Sequence, residues 1–156
     1  METELLLNVF VRGIPKPQPR PRAFARRMGA TFVARVYDAG TAESWKGAVA
    51  IALKPFLPPI PHDGPLSVSI DFFFPRPKCL SRKKDPIGYI PHAGRPDRDN
   101  LEKATTDAMT QLGFWKDDGQ VCAGEVRKFY VGMSEWDCTS GARIVVKRMS
   151  TGVTNV

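Results

Sequence analysis

Leu66-Ser67-Val68-Ser69-Ile70-Asp71-Phe72-Phe73-Phe74 is the stretch from which the fold class can be read. Leu66, Val68, Ile70, Phe72 and Phe74 occupy alternate positions, with Ser67, Ser69 and Asp71 between the first four. Successive side chains of an extended chain point to opposite faces, so this pattern predicts a strand with one face against a core. Immediately upstream, Pro58 to Gly64 supplies turn residues. Before them Trp45, Ala48, Val49, Ala52 and Leu53 recur at helical spacing, which predicts a helix capped by Thr41 and stopped by Pro55. Leu5 to Val11 reads as an opening strand. A loop is expected to begin at Ile14, because prolines 15, 17, 19 and 21 offer no amide hydrogen for a ladder.

Downstream of the central strand, a second proline-broken stretch carries Arg76, Lys78, Arg82, Lys83, Lys84 and Arg95 against a single acid, Asp85. From Arg95 the chain turns into a helix that is expected to end at Gly113, with Asp99 as its N-cap and Glu102 completing a capping box. Leu101, Ala104, Ala108 and Leu112 face the core, while Asp99, Lys103 and Asp107 recur every four residues along another stripe. Val121 to Val131 and Ala142 to Met149 have the β-branched and aromatic content of strands. The predicted order of β, loop, α, β, loop, α, β, β implies an α/β fold of the α+β kind, a small mixed sheet packed by two main helices. One domain is expected over residues 1–150, with residues 151–156 as a tail.

The 156 residues carry a net charge of +7 and a sequence pI near 9.6. A basic surface gains affinity for a polyanion by displacing its condensed counterions, so nucleic acid is the partner class this charge suggests. The charge is concentrated. Between Arg12 and Arg35 lie seven basic residues, including Arg20, Arg22, Arg26 and Arg27, and no acidic one. No apolar run approaches the roughly 20 residues needed to span a bilayer. Met1-Glu2-Thr3-Glu4 is acidic where a secretory signal is basic, so no export is expected. Cys79, Cys122 and Cys138 are odd in number and lack metal-ligand spacing, and they are expected as reduced, buried filler. His62 and His92 are expected at the surface, and Phe114 and Trp115 as a core plug.

Two acidic turns stand out in so basic a chain. Asp97-Arg98-Asp99 opens the second helix, and Asp117-Asp118 sits in the turn before the next strand. Magnesium takes oxygen ligands and usually only one or two protein carboxylates, with water and phosphate completing its shell, a need that Asp97, Asp99 and Asp118 meet. Such an ion activates water and stabilises charge in phosphodiester hydrolysis, and a nearby ammonium such as Lys103 adds to that. An EF-hand is excluded, because Leu101 occupies a ligand position and the glycine after it is missing. Taken singly, each turn is more often only a cap or a turn, and Lys103 could simply pair with Asp107 one turn on.

Together, Pro96-Asp97-Arg98-Asp99-Asn100-Leu101-x-Lys103-Ala104-x-x-Asp107-Ala108 and Gly113-Phe114-Trp115-x-Asp117-Asp118-x-Gln120-Val121, with a basic Lys128, resemble the signature of the RusA family of Holliday junction resolvases. The likeness extends to the Gly13-x-Pro15-x-Pro17-x-x-Arg20-Pro21-Arg22 loop. The resemblance implies a homodimeric enzyme that uses magnesium, with manganese as the expected substitute, and that resolves four-way branched DNA by paired symmetric nicks in recombination and repair. It places the acidic triad on Asp97, Asp99 and Asp118 and the active-site lysine on Lys103, with Asp107 and Asp117 in support. Phosphate contacts are expected from Arg20, Arg22, Arg26, Arg27, Arg82, Lys83, Lys84, Arg95 and Lys128. A phage or prophage gene acting in a bacterial cytoplasm is also implied. The N-terminal loop and the Pro75 to Gly94 stretch are longer than in smaller family members, so selectivity stays open. A nuclease of looser flap or splayed-arm specificity and a non-catalytic branched-DNA-binding protein are the alternatives.

Overall fold

The computed structural model describes residues 3–19, 22–37 and 42–152. The chain opens with strand β1 (Thr3–Arg12) and a β-hairpin, β2 (Arg22–Met28) and β3 (Thr31–Tyr37). Helix α1 (Glu43–Leu53) comes next, then β4 (Leu66–Phe74), the short β5 (Ile90–Pro91) and helix α2 (Arg98–Gln111). Strands β6 (Val121–Ala123), β7 (Val126–Tyr130) and β8 (Gly141–Met149) complete it. The alternating stretch is the centre of the sheet, whose order is β1-β8-β4-β7-β5, with β6 also pairing with β4. β4 runs antiparallel to β8 and parallel to β6 and β7. The sheet is therefore mixed, and with two main helices the expected α+β architecture holds.

The inward residues of β4, Leu66, Val68, Ile70, Phe72 and Phe74, are all buried. Trp45, Val49 and Leu53 of α1 and Leu101, Ala104, Ala108 and Met109 of α2 pack in the same core, as do Val11, Ile144 and Val146 of the flanking strands. Trp45 and Thr105 join the two helices: the indole Nε1 donates to the Thr105 hydroxyl at 3.0 Å, and that hydroxyl donates to the Leu101 carbonyl at 3.0 Å. A buried indole N–H needs such a partner, since leaving it unpaired costs roughly 1–3 kcal/mol. Phe114 and Trp115 are fully buried, as expected of a core plug. Gly113, at φ +76°, closes α2 with the backbone conformation that glycine adopts freely.

Several expectations are corrected. The basic stretch after the proline-rich segment continues not as a loop but as the two-stranded antiparallel sheet β2–β3, turning at Gly29 and Ala30. The single strand expected over 121–131 is two strands, because at Gly124 the backbone comes so close to Val68 that a Cβ there would lie 1.7 Å from its carbonyl oxygen. All three cysteines are exposed, so none is core filler. His92 is buried instead, stacked on Tyr130 at 4.2 Å and edge-on to Phe74 at 4.9 Å. The Thr41 cap lies outside the described residues, and Ala42 stands at the N-cap position of α1. Among the described residues no helix is long and apolar enough to cross a membrane.

Candidate active site

Helix α2 begins two residues earlier than its capping pattern suggests. Asp97, in extended conformation, is the N-cap, and its carbonyl accepts the first helical hydrogen bond from Leu101 N–H at 3.2 Å. Its side chain caps nothing, and Asp99 lies inside the first turn, so the expected Asp99–Glu102 capping box does not form. The carboxylates of Asp97 and Asp99 are thus exposed at the positive end of a helix, where negative charge is stabilised. A capping box forms at the other acidic turn. The Asp117 carboxylate accepts from Gly119 N–H at 2.6 Å, while the Gln120 side-chain oxygen accepts from Asp117 N–H at 2.9 Å. Asp117 is spent on fixing the one-turn 3-10 helix Asp118–Gln120, which leaves Asp118 to face elsewhere.

Asp118 faces α2. The Lys103 ammonium donates to Asp107 at 2.8 Å and to Asp118 at 3.3 Å, so one lysine ties the turn at 118 to the helix that starts beside Asp97. Hydrogen bonds to Asp107 and then Asp118 raise the Lys103 pKa above its ordinary value, which keeps it charged throughout the neutral range. The expected Lys103–Asp107 pair is present, and the same ammonium also joins the two acidic motifs. Among the described residues no three Asp, Glu, His or Cys side chains converge closely enough to enclose a metal ion. The oxygen-only donor set, with Asp97 and Asp99 exposed and Asp118 half-buried, nevertheless suits a hard divalent ion that takes one or two carboxylates and fills its shell with water and phosphate.

The loop entering α2 is held from β7. The Lys128 ammonium donates to the carbonyls of Gly94 at 2.6 Å and Pro96 at 2.8 Å, and the peptide bond into Pro96 is cis. Beside the start of α2 lies a cleft of about 400 Å³ lined by Arg98, Glu102, Gly124, Glu125, Val126 and Arg127.

The basic residues fall into two groups. Arg26, Arg27, Lys83, Lys84 and Arg95 are exposed, and Arg82 is exposed while pairing with Asp85 at 3.2 Å. Arg22 opens β2, and Arg20 lies outside the described residues. Others serve the fold. Arg76 donates to the carbonyls of Val131, Leu80, Pro86 and Gly88 and so organises the whole 76–88 loop. Arg127 forms a two-pronged pair with Asp71, both bonds at 2.7 Å. Nothing in the sequence separates these cations, spent on bonds within the fold, from those left free of such bonds. Sequence reasoning also missed His92 and Gln120 as structural parts of the site.

Residues 13–135 match the family profile described as endodeoxyribonuclease RusA. The chain belongs to the RusA family. Its relatives include the uncharacterised protein YqaN of Bacillus subtilis, 31% identical over 80% of this chain and 87% of that one. The crossover junction endodeoxyribonuclease RusA of Escherichia coli K12 is 28% identical over the same shares of each chain. The RusA enzyme of enterobacteria phage 82 is 49% identical over 43 residues, 28% of this chain and 36% of its own. RusA membership makes this chain an endodeoxyribonuclease, a hydrolase, and settles the choice left open between an enzyme and a non-catalytic binding protein.

Proposed function

We propose that this enzyme resolves Holliday junctions by paired symmetric nicks with magnesium as its cofactor, in recombination and repair. The observation that carries the reading is the Lys103 bridge, which ties Asp118 to the helix whose N-cap is Asp97 and whose first turn holds Asp99. Names of relatives such as crossover junction endodeoxyribonuclease support the substrate class. Relatives in bacteria and a phage support a phage or prophage gene whose product works in a bacterial cytoplasm.

Asp97, Asp99 and Asp118 would hold the metal, with manganese able to replace magnesium. When bound, the ion would activate water and offset charge on the scissile phosphate. Lys103, kept charged by its carboxylate partners, compensates the negative charge that grows on the phosphate as water attacks, and Asp107 holds its ammonium in place. Asp117 acts at one remove, by fixing the turn that aims Asp118. Arg20, Arg22, Arg26, Arg27, Arg82, Lys83, Lys84 and Arg95 would contact the DNA backbone. Two nicks related by symmetry call for two equivalent sites, which a homodimer provides.

The test is cleavage of an end-labelled synthetic four-way junction beside linear, flap and splayed duplexes, with magnesium or EDTA. Paired magnesium-dependent nicks on the junction are expected, with Asp99→Asn slowing them by about 100-fold or more while leaving binding intact. Equal cutting of flaps and junctions would instead establish the looser specificity. An Asp99→Asn variant that cuts at the full rate would remove that residue from the metal site.

A further inference from the structure

Lys128 has the charge of a phosphate contact, yet its ammonium is engaged elsewhere. Of its three N–H donors, two go to the carbonyls of Gly94 and Pro96, the second of which belongs to the residue preceding Asp97. Backbone from the same strand completes the attachment. Ile90 and Pro91 pair with Tyr130 and Phe129, and His92 N–H donates to the Lys128 carbonyl at 3.0 Å. The His92 Nδ1 then accepts from Gly94 N–H at 3.1 Å, while its ring is held between Tyr130 and Phe74. The segment 90–96 is thus fastened to β7 by backbone at one end and by a lysine side chain at the other. Beyond that last bond come the exposed Asp97 and Asp99.

We infer that Lys128 is a positioning residue: by holding the carbonyls of Gly94 and Pro96 it sets the entry to α2 and so the placement of Asp97 and Asp99. The inference rests on the proposed role of those two aspartates, though the clamp itself can be measured without it. Charge-assisted hydrogen bonds to two carbonyls are a strong restraint on a loop that has little regular structure of its own. Catalytic carboxylates need such restraint, because misplacement by about 1 Å can cost about 100-fold in rate.

The experiment uses the full chain as wild type, Lys128→Met and Lys128→Arg. Amide hydrogen exchange over residues 90–100 is measured in the free protein, junction affinity and its salt dependence in EDTA, and single-turnover cleavage at saturating protein with magnesium. Lys128→Met is expected to exchange faster over 90–100 and to cut at least about ten-fold more slowly, with affinity and salt slope unchanged. Lys128→Arg, which keeps the charge and the donors, should restore much of the protection and rate. Unchanged exchange, with weaker binding and a salt slope flattened by about one unit, would make Lys128 a phosphate contact and overturn the inference. Should Lys128→Met not fold, the comparison is made with Lys128→Gln. If wild type cuts no junction, the functional reading fails, while the exchange data still decide whether the clamp exists.

Discussion

Lys103 joins the two acidic motifs of the proposed site, with a bond to Asp107 on its own helix and another to Asp118 across a turn. About half of its side chain is exposed. Exposed ion pairs contribute only about 0–1 kcal/mol each, so their cost to stability when lost is small, whereas a cation beside a reacting phosphate is worth far more. Lys103→Met should therefore move the urea midpoint little and lower single-turnover cleavage by about 100-fold or more. A variant that unfolds easily and cuts normally when folded would reverse that assignment. The proposed site residues Asp97, Asp99, Lys103 and Asp118 stood out in sequence as two acidic turns in a basic chain, and the structure links one of those turns to the helix of the other through Lys103. Their division of labour was less legible in sequence. Either Asp97 or Asp99 could cap a helix, and only the carbonyl of Asp97 accepting from Leu101 decides between them.

Among the elements, β4 and both helices follow from hydrophobic period and β8 from its β-branched content, and their bounds differ from the sequence reading by a residue or two. The β2–β3 hairpin was missed for a physical reason. It pairs only with itself, and its exposed residues, Arg26, Arg27 and Phe32 among them, show no apolar face for a pattern to reveal. Its signal was the glycine turn between two segments containing Phe24, Phe32, Val33 and Val36, which arginine content overrode. A paired ribbon presents cations far more rigidly than a loop does. Arg27 also braces the turn, with its Nε donating to the Gly29 carbonyl at 3.1 Å, so Arg26 is the cleaner probe of DNA contact. Arg26→Gln is expected to weaken junction binding and lower the salt slope by about 0.9, with the unfolding midpoint unchanged. An unaltered slope would take this arginine out of the interface.

At the scale of the whole molecule, the two histidines link stability to pH in the same direction. Burial, helped by Arg148 for His62 and by Lys128 for His92, lowers both pKa values below the ordinary 6.5. The unfolded chain then binds protons more readily than the folded one. The histidine contribution to stability is complete above 6.5 and is lost as pH falls through that value towards the folded pKa values. The urea midpoint should drop between about pH 7.5 and about pH 5.5, and a variant with both histidines replaced should show a flatter profile. A flat profile for wild type would mean that both imidazoles ionise as freely folded as unfolded.

The sheet also imposes an order in time. β1 pairs with β8, the first strand of the described chain with the last, and the central β4 finds its lateral partners only in β6, β7 and β8. On a ribosome adding roughly 5–20 residues per second, the opening strand must wait for nearly the whole chain before its neighbour exists. The acidic turns, made in between, gain a rigid support only when that last strand arrives. A nascent chain therefore carries Asp97 to Asp118, from the moment they are made until β8 follows, without the platform that supports them, so the ability to cut DNA should appear at once and late, not by degrees.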